Sequence, residues 1–328
     1  MSEPERPWTV LWRSRLGADE VGEEAVPAGV AIDVDAEADA DAMAGVRVLV
    51  DGDPPEALLD GPDLERVIVP YAGVRERVRR AVAGRPRLTL HNSHFNAPFV
   101  AQHAVALLLS CAARIGRYDR ALRAGAWDGD DGPLSVHLAG RRALLLGYGA
   151  IGRAVAPMLQ GLGMEVEALR RRPDPGRGGV RERGAHELLA ALGEAHAVVV
   201  SLPATPATEG LLGEEAFGAL RPGALVVNVG RGAVIDEEAA WGALQEGRLG
   251  GLGLDVWWRY PDDTSARATT LPAHRPFHRH PDVVLSPHRA NAVSDWRRAS
   301  VRDVLATLAA IVSGRDPQRN RVDVEAGY

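Results

Sequence analysis

Short apolar runs separated by helical patterns recur along most of this chain. Such a run between two helical segments is typical of a buried strand in a parallel sheet. We predict strands at 8–12, 46–50, 66–70 and 87–90, and then at 143–147, 164–169, 197–201, 224–229, 250–255 and 283–285. The alternation predicts an α/β fold with doubly wound parallel sheets.

Longer periodic segments predict helices. An apolar helical pattern runs over 97–123 and ends at 125–127, and another covers 294–313. The run 33–41 alternates acidic with small residues, but it lacks the glycine and the spacing of a calcium-binding loop. We interpret it as a solvated turn or a helix start.

Three glycines after one predicted strand carry the clearest chemical signal. They form a G-x-G-x-x-G pattern between the apolar run that begins at Arg142 and a helical pattern over 153–162. This context is typical of a dinucleotide-binding unit, in which the glycines permit a tight turn, a close approach of pyrophosphate and close helix packing. The helix N-terminus then faces the phosphates. The predicted cofactor loop consists of Gly147, Tyr148, Gly149, Ala150, Ile151 and Gly152.

The end of the next predicted strand bears on the choice of cofactor. An acidic residue that binds the ribose hydroxyls is expected there, but the chain has Arg170, Arg171 and Arg172. Because guanidinium groups suit a 2′-phosphate, we predict that NADP(H) is preferred, with NAD(H) as the alternative. Glu167 is a rival partner for the ribose hydroxyls, and a solvated arginine run is the alternative interpretation of the three arginines.

Composition narrows the function classes. The 328 residues suffice for two domains, and the net charge of −6 gives no general attraction to nucleic acid or anionic membranes. All 38 basic residues are arginine, which excludes Schiff-base and pyridoxal-phosphate lysines. The single cysteine, Cys111, lies in an apolar helical pattern and is predicted to be a core residue rather than a nucleophile. With no apolar signal core at the start and no apolar run long enough to span a bilayer, we expect a cytoplasmic protein.

Three downstream segments agree in order and spacing with the glycine motif. They are SLPATPAT at 201–208, LVVNVGRG at 225–232 and LSPH at 285–288. Together these motifs resemble the D-isomer-specific 2-hydroxyacid dehydrogenases, a family that includes phosphoglycerate, glyoxylate/hydroxypyruvate and D-lactate dehydrogenases. The resemblance implies two Rossmann-like domains: a substrate domain built from both chain ends, at 1–98 and 291–328, and a dinucleotide-binding domain at 99–290.

The resemblance also implies roles for individual residues. Arg231 would grip the carboxylate and the keto oxygen of a 2-oxo acid, and His288 would exchange a proton with the substrate oxygen. Further substrate contacts are implied for Ala72, Gly73, Val74 and Asn96. Cofactor contacts are implied for Leu202, Pro203, Thr208, Val229, Gly230 and Asp255.

These residues also have ordinary structural interpretations. An arginine after a buried strand is more often an ion-pair partner, and a histidine after a proline is more often a turn residue. The agreement of Arg231 and His288 with the glycine motif and with each other favours the active-site interpretation.

One departure from the family pattern concerns the catalytic histidine. The family has a glutamate just before a proline, which pairs with the histidine and raises its pKa, whereas this chain has Tyr260 before Pro261. A neutral tyrosine cannot stabilise an imidazolium by charge, so we expect His288 to titrate lower than in a typical relative. Three interpretations are open: Tyr260 orients His288 in catalysis, Asp262 or Asp263 replaces the glutamate, or turnover of 2-hydroxy acids is lost. We favour the first.

A histidine-rich segment and two tryptophans have no assigned role. His274, His278 and His280 lack a cysteine or carboxylate that would complete a tetrahedral set, so no metal site is predicted. We expect this segment to close over the cleft or to contact a partner subunit. Trp257 and Trp258 either line the cleft or pack in the core.

The motifs predict an NAD(P)H-dependent reduction of a 2-oxo acid to a D-2-hydroxy acid, or the reverse reaction. The alternatives are a dehydrogenase of a small anion such as formate or phosphite, and a non-catalytic NAD(P)-sensing protein of the corepressor type. The predicted partner is a small 2-oxo or 2-hydroxy acid, with neither nucleic acid nor membrane. By resemblance we expect a homodimer formed through the coenzyme domains, using the helix around 100–115 and the loop near Trp127.

Overall fold

The structure, a computed structural model, describes residues 7–15, 18–127, 132–173 and 179–325. The chain divides into two compact units. The first unit comprises Met1–Asn96 and Val293–Tyr328, and the second comprises Ala97–Ala292. Each unit contains one parallel sheet with interleaved helices, so the predicted α/β fold class is confirmed.

The strands are β1 (Trp8–Trp12), β2 (Val30–Val34), β3 (Val48–Val50), β4 (Arg66–Ile68), β5 (Thr89–His91), β6 (Arg142–Leu146), β7 (Glu165–Arg170), β8 (Arg181–Gly184), β9 (Ala197–Val200), β10 (Ala224–Asn228), β11 (Leu249–Leu254) and β12 (Val283–Leu285). The helices are α1 (Ala18–Val21), α2 (Glu56–Leu59), α3 (Glu76–Ala83), α4 (Ala97–Ala112), α5 (Ile115–Arg123), α6 (Ala150–Gly161), α7 (Leu188–Glu194), α8 (Glu214–Ala219), α9 (Glu237–Gln245) and α10 (Trp296–Val312). Short 3₁₀ turns lie at Ala40–Met43, Ala185–Glu187, Gly232–Val234, Ser265–Ala268 and Phe277–Arg279.

The first unit is built on a five-stranded parallel sheet in the order β2-β1-β3-β4-β5. Helix α10 returns the end of the chain to this sheet, where Val301 and Val304 join Val10 and Val48 in one apolar core. A second apolar cluster contains Leu11 and Leu49, whose side chains alternate with those of Val10 and Val48 along the same strands. The sheet is therefore covered by apolar side chains on both faces.

The second unit contains a seven-stranded parallel sheet in the order β12-β11-β10-β9-β6-β7-β8. The strand order reverses between β9 and β6, and in open α/β sheets ligands bind at the carboxyl ends of the strands at such a point. Seven loops begin at that edge, one after each of the parallel strands. All the second-unit residues predicted to bind substrate or to act as acid lie on these loops.

The strands missed by the sequence analysis are edge strands. Every predicted strand overlaps an observed one, whereas β2 and β8 were not predicted. β8 has the sequence Arg-Glu-Arg-Gly, and the second half of β2 is exposed. An edge strand buries less of its surface, so it lacks the continuous apolar run that identifies a central strand.

The single helix predicted over 97–123 is wrong. Helices α4 and α5 are bent by 64° at the break between them. Arg114 adopts a left-handed conformation with φ of 54°, and its guanidinium donates to the carboxylate of Asp282 at 2.7 Å. Among the described residues no single helix is both long and apolar enough to cross a membrane, and only this bent pair passes that test when counted together.

Two smaller predictions concern Cys111 and the acidic run. Cys111 is buried in α4, and burial raises the pKa of its thiol to about 12, which confirms a core residue. Residues Asp33, Asp35, Glu37 and Asp39 are exposed, and the run leads into the 3₁₀ turn Ala40–Met43. The run is thus a solvated helix start, as predicted.

Candidate active site

The glycine loop joins β6 to α6. Gly147 has φ of 97°, a conformation that side chains other than glycine rarely adopt. A Cβ atom at Gly152 would lie 2.3 Å from the Gly147 carbonyl oxygen, so this glycine lets the helix pack on the turn. At Gly149, by contrast, a Cβ would meet no atom within 4 Å. The main chain at the start of α6 is therefore open to a ligand, and the first N–H groups of the helix have no intrahelical partner.

A buried amide holds the turn that presents Arg231. Asn228, at the end of β10, is fully buried; its amide nitrogen donates to the Arg231 carbonyl at 3.0 Å, and its amide oxygen accepts from the Gly230 N–H at 3.0 Å. A Cβ at Gly230 would lie 2.5 Å from the Leu202 carbonyl oxygen, which requires glycine there. The exposed guanidinium of Arg231 thus extends from a turn at the sheet edge, and the buried amide of Asn228 holds this turn in place.

A buried carboxylate fixes the loop after β12. Asp255 accepts hydrogen bonds from the Arg289 N–H at 2.8 Å, from the Ala290 N–H at 3.1 Å and from the Ser286 hydroxyl. His103 Nε2 lies 2.9 Å from the Ser286 oxygen and 3.4 Å from the Asp255 carboxylate. Because the Ser286 proton is already given to Asp255, His103 is the donor to Ser286. These bonds anchor the loop at Ser286 and at Arg289 and Ala290, on either side of His288.

His288 lies at the tip of this anchored loop. Its φ is 56°, in the left-handed region where a non-glycine residue is uncommon. The imidazole reaches solvent, but the atoms packed around it remove part of its hydration, and this desolvation lowers its pKa below the ordinary histidine value. The positive charge of Arg231 lowers the pKa further, while the Asp255 carboxylate opposes the shift. The site therefore contains a histidine near an arginine with no carboxylate strong enough to favour the charged imidazole.

The comparisons with known proteins agree with this geometry. Residues 105–290 match the model of the D-isomer specific 2-hydroxyacid dehydrogenase NAD binding domain. The chain belongs to this family. It is 30% identical over 286 residues to the glyoxylate reductase of Korarchaeum cryptofilum, an alignment that covers 83% of this chain and 80% of the relative.

Solved structures of family members show the same fold. A D-isomer specific 2-hydroxyacid dehydrogenase from Xanthobacter autotrophicus, in complex with NADPH and MES, has 25% identity and a TM-score of 0.74 and covers 98% of this chain and 100% of its own. An NADPH-dependent glyoxylate/hydroxypyruvate reductase from Sinorhizobium meliloti, in complex with NADP and malonate, has 28% identity and a TM-score of 0.65, with 98% of each chain covered. This dehydrogenase is therefore an oxidoreductase that uses a nicotinamide cofactor.

In this dehydrogenase three successive arginines lie at the end of β7. Arg170 is the last residue of the strand, and its guanidinium lies 3.1 Å from the buried carboxylate of Glu182. Arg171 and Arg172 follow and are exposed. Glu167 lies inside the strand, where its carboxylate is 2.6 Å from the Arg183 guanidinium, so it is neither at the strand end nor free of an ion pair.

The loop after β9 is closed by one hydroxyl. Thr208 Oγ1 donates to the Pro203 carbonyl at 2.7 Å and accepts from the Thr205 N–H at 2.8 Å. Leu202 packs beside Gly147, whose hypothetical Cβ would lie 3.1 Å from a Leu202 methyl group. Val229 is buried. Thr208 thus fixes the loop after β9, whose Leu202 lies beside the glycine loop, and the cofactor contacts of this loop stay a prediction.

Tyr260 contacts His288 through its ring. The ring centroids are 5.6 Å apart and the interplanar angle is 54°. The Tyr260 hydroxyl accepts from the Trp257 N–H at 3.1 Å, and burial raises the pKa of the phenol, so the group is neutral at pH 7. In addition, the Asp263 carboxylate caps its own turn by accepting from Ser265 and Ala266. The Tyr260 hydroxyl thus has a main-chain partner while the ring contacts His288, and an orienting role in catalysis stays a prediction.

The substrate contacts implied at 72–74 and at Asn96 belong to the first unit. Residues 72–74 form an exposed or half-buried turn between β4 and α3, and the Asn92 amide donates to the Ala72 carbonyl at 2.9 Å. In the polar segment 91–96, which ends at Asn96, His91, Asn92 and Ser93 are buried. His91 Nδ1 lies 2.8 Å from the Arg319 carbonyl, and Ser93 donates to Asp303. The start of this segment therefore stabilises the first unit.

The two neighbouring tryptophans and the histidine segment have different surroundings. The buried Trp257 indole donates to the Ser286 carbonyl at 2.8 Å, whereas Trp258 stacks on Phe277 with centroids 5.1 Å apart. His274 Nδ1 lies 3.0 Å from Glu237, which anchors the segment to α9. Within the described ranges no three potential metal ligands cluster.

Three supporting residues were missed by the sequence analysis. Asn228, Ser286 and His103 hold the Arg231 and His288 loops by the hydrogen bonds described above. A signal existed for Asn228, because an amide that ends an otherwise apolar strand must find partners when it is buried. His103 and Ser286 carried no comparable signal, because they are far apart in the sequence.

We predict that Asn228→Ala destabilises the second unit. The substitution removes the acceptor of the buried Gly230 N–H, and an unsatisfied buried group costs about 1–3 kcal/mol. Urea unfolding followed by circular dichroism measures the change. The matched control is Gln160→Ala, which removes an exposed amide from α6. Equal midpoints for both variants would contradict the assigned role of Asn228.

Proposed function

We propose that this enzyme reduces a small 2-oxo acid to the D-2-hydroxy acid with NADPH, with Arg231 as the substrate anchor and His288 as the acid. The observation that carries the proposal is that Arg231 and His288 extend from the ends of β10 and β12, which flank β11, on loops fixed by buried Asn228 and Asp255. Rigidly held groups of this kind lower a barrier by orientation and by prearranged charge.

Arg231 supplies the substrate contact. One guanidinium nitrogen donates to the Gly230 carbonyl at 2.8 Å, which directs the group and leaves its other N–H donors for a ligand. A planar guanidinium suits two oxygens at once, such as a carboxylate oxygen and a neighbouring keto oxygen. By the family resemblance, we assign the main-chain N–H groups of Ala72, Gly73 and Val74, and the side chain of Asn96, as further substrate contacts.

His288 exchanges a proton with the substrate oxygen. When bound, the nicotinamide supplies the hydride that the keto carbon receives. As negative charge develops on the substrate oxygen, the imidazolium of His288 donates a proton to it, and Arg231 stabilises the same oxygen by its charge. In the reverse direction the neutral imidazole accepts the proton. Tyr260 packs against the ring and thereby limits its orientations.

The cofactor site fits a dinucleotide. The open main chain at Gly149 and the N-terminus of α6 would hold the pyrophosphate, and the side of the loop formed by Leu202, Pro203 and Thr208 would contact the nucleosides. The exposed Arg171 and Arg172 support NADPH over NADH, because a 2′-phosphate accepts charge-assisted hydrogen bonds. The relatives from Xanthobacter and Sinorhizobium, whose complexes contain NADPH or NADP, are consistent with this assignment.

The direct test is cofactor oxidation with glyoxylate and hydroxypyruvate, using NADPH and NADH in parallel. We expect turnover that favours NADPH, and a loss of about 10²-fold or more in kcat for His288→Gln, because a positioned acid contributes at least that factor.

Arg172→Gln should raise the KM for NADPH by about tenfold and leave the KM for NADH nearly unchanged, since one charge-assisted bond is lost. Arg221→Gln, an exposed arginine at the opposite edge of the sheet, is the control.

Two results would contradict the proposed 2-oxo acid reduction and favour one of the alternative functions. Turnover of formate or phosphite, without 2-oxo acid reduction, would favour the small-anion dehydrogenase. Tight NADPH binding with no turnover of any of these substrates would favour the non-catalytic sensing protein.

The pH dependence follows from the lowered pKa of His288. Reduction requires the protonated imidazole, so kcat/KM should fall as pH rises through a midpoint below the ordinary value of about 6.5. In Tyr260→Glu a carboxylate replaces the neutral ring, which should raise the midpoint by about one unit. Tyr260→Phe keeps the ring contact and should leave the midpoint and rate nearly unchanged. A large rate loss in Tyr260→Phe would instead assign a catalytic task to the hydroxyl.

We also propose a homodimer formed through the second unit. Helix α5 has no buried residue, and Ile115, Leu122, Trp127 and Leu134 expose large apolar side chains, with Trp127 86% exposed. Large exposed apolar side chains that come together in one patch are typical of an interface. Sedimentation should give the mass of two 35.0 kDa chains, and Trp127→Asp should shift the species toward one. A single-chain mass for the unaltered protein would contradict the proposal.

A further inference from the structure

A cavity of about 710 Å³ opens beside His288 within the second unit. Its walls come from the segment 257–272, which follows β11, and from the loop after β12 that carries His288. The segment is held at its base by a hydrogen bond from the Arg259 N–H to the Pro272 carbonyl at 3.0 Å. The cavity therefore adjoins the proposed acid.

The charge of this cavity has one sign. Arg259, Arg267 and Arg289 line it together with Asn291, and its lining contains no aspartate or glutamate. This is unlike the chain as a whole, which has 44 acidic and 38 basic residues. A concave surface lined by charges of one sign concentrates ligands of the opposite sign.

The three arginines differ from many others in this molecule in lacking an ion-pair partner. In the described part of the chain, none of their guanidinium groups lies within 4.0 Å of a carboxylate oxygen. Nearby Arg275, by contrast, pairs with Glu238, and Arg114 pairs with Asp282. The donors of Arg259, Arg267 and Arg289 are therefore available to an anionic ligand.

Part of the cavity wall is apolar. Trp257, Tyr260, Pro272 and Leu285 contribute to it. The Trp257 ring is fixed by its bond to the Ser286 carbonyl and the Tyr260 hydroxyl by its bond from the Trp257 N–H. Such a wall suits a short hydrocarbon chain, which buries apolar surface, with a charged group at its end.

We propose that this cavity receives a second anionic group, a carboxylate or a phosphate, at the far end of the 2-oxo acid. The inference rests on the proposed function, because the 2-oxo acid head must lie between Arg231 and His288 for its chain to enter the cavity. The substrate class is then a 2-oxo acid with a second anionic group, for which we use the word dianion, and Arg259, Arg267 and Arg289 determine specificity rather than reaction chemistry.

The test compares substrates that differ only in the far anion. 2-Oxoglutarate is matched by 2-oxovalerate, which has the same carbon chain without the second carboxylate, and phosphohydroxypyruvate is matched by hydroxypyruvate. We expect kcat/KM to favour one dianion over its partner by about tenfold or more at low ionic strength, because one charged hydrogen bond has at least that effect. The advantage should shrink at high salt. The preferred pair identifies the anion as carboxylate or phosphate.

Substitutions of the cavity arginines test whether these residues cause the preference for the second anionic group. Arg259→Gln and Arg267→Gln should each reduce the ratio of kcat/KM between dianion and partner by about tenfold, while Arg221→Gln should leave the ratio unchanged. The Kd for NADPH and the unfolding midpoint verify that each variant is folded. Equal kcat/KM within both pairs, or a ratio that neither cavity variant alters, would overturn the subsite and leave the proposed function intact.

A separate measurement covers the case in which no 2-oxo acid is reduced, so that the proposed function itself fails. Calorimetric titration of the NADPH-saturated protein with 2-oxoglutarate and with phosphohydroxypyruvate measures binding without turnover. Weakening of either by about tenfold in Arg259→Gln and Arg267→Gln would support an anion site in the cavity. Absence of binding, or equal binding by the variants, would overturn it.

Discussion

The carboxylate of Asp255 is enclosed at the carboxyl end of β11, where the main chain of the His288 loop donates to both of its oxygens. Hydrogen bonds to a charged group are among the stronger ones in proteins, and a buried carboxylate without them would be costly. These bonds fix residues on either side of His288, whose left-handed conformation costs about 1–3 kcal/mol and persists only when its surroundings determine it. Ser286 and His103 complete the network, so the position of His288 depends on α4 as well as on the sheet.

The sheet of the second unit is what allows so few residues to form a site. Parallel strands end at the same edge, and the order reverses between β9 and β6, so the glycine loop, Arg231, Asp255 and His288 all leave the sheet there. Where two main-chain segments approach each other closely at this edge, only glycine fits. Gly152 and Gly230 have no space for a side chain, whereas Gly149 is open on the side where a ligand would lie.

Charge in this lysine-free chain is distributed among arginines with different tasks. Arg170 and Arg183 are joined to buried or half-buried carboxylates and hold β7 to β8. Arg231 and the cavity arginines, such as Arg259 and Arg267, face solvent-accessible space beside His288. The neutral Tyr260 beside His288 adds no negative charge, so this side of the site is electrostatically suited to anions.

The sequence by itself determined the fold class, the central strands, the glycine loop and the family, and it singled out Arg231 and His288 as candidate active-site residues. Continuous apolar runs and the spacing of glycines in a turn are local properties, so they can be predicted from neighbouring residues. The edge strands, the break at Arg114, the pairing of Arg170 with Glu182, the hydroxyl partner of Tyr260 and the anchoring role of Asp255 were decided only by the tertiary structure. Each depends on groups distant in the chain that meet in the folded state, where differences of a few tenths of an ångström select the hydrogen-bond partner.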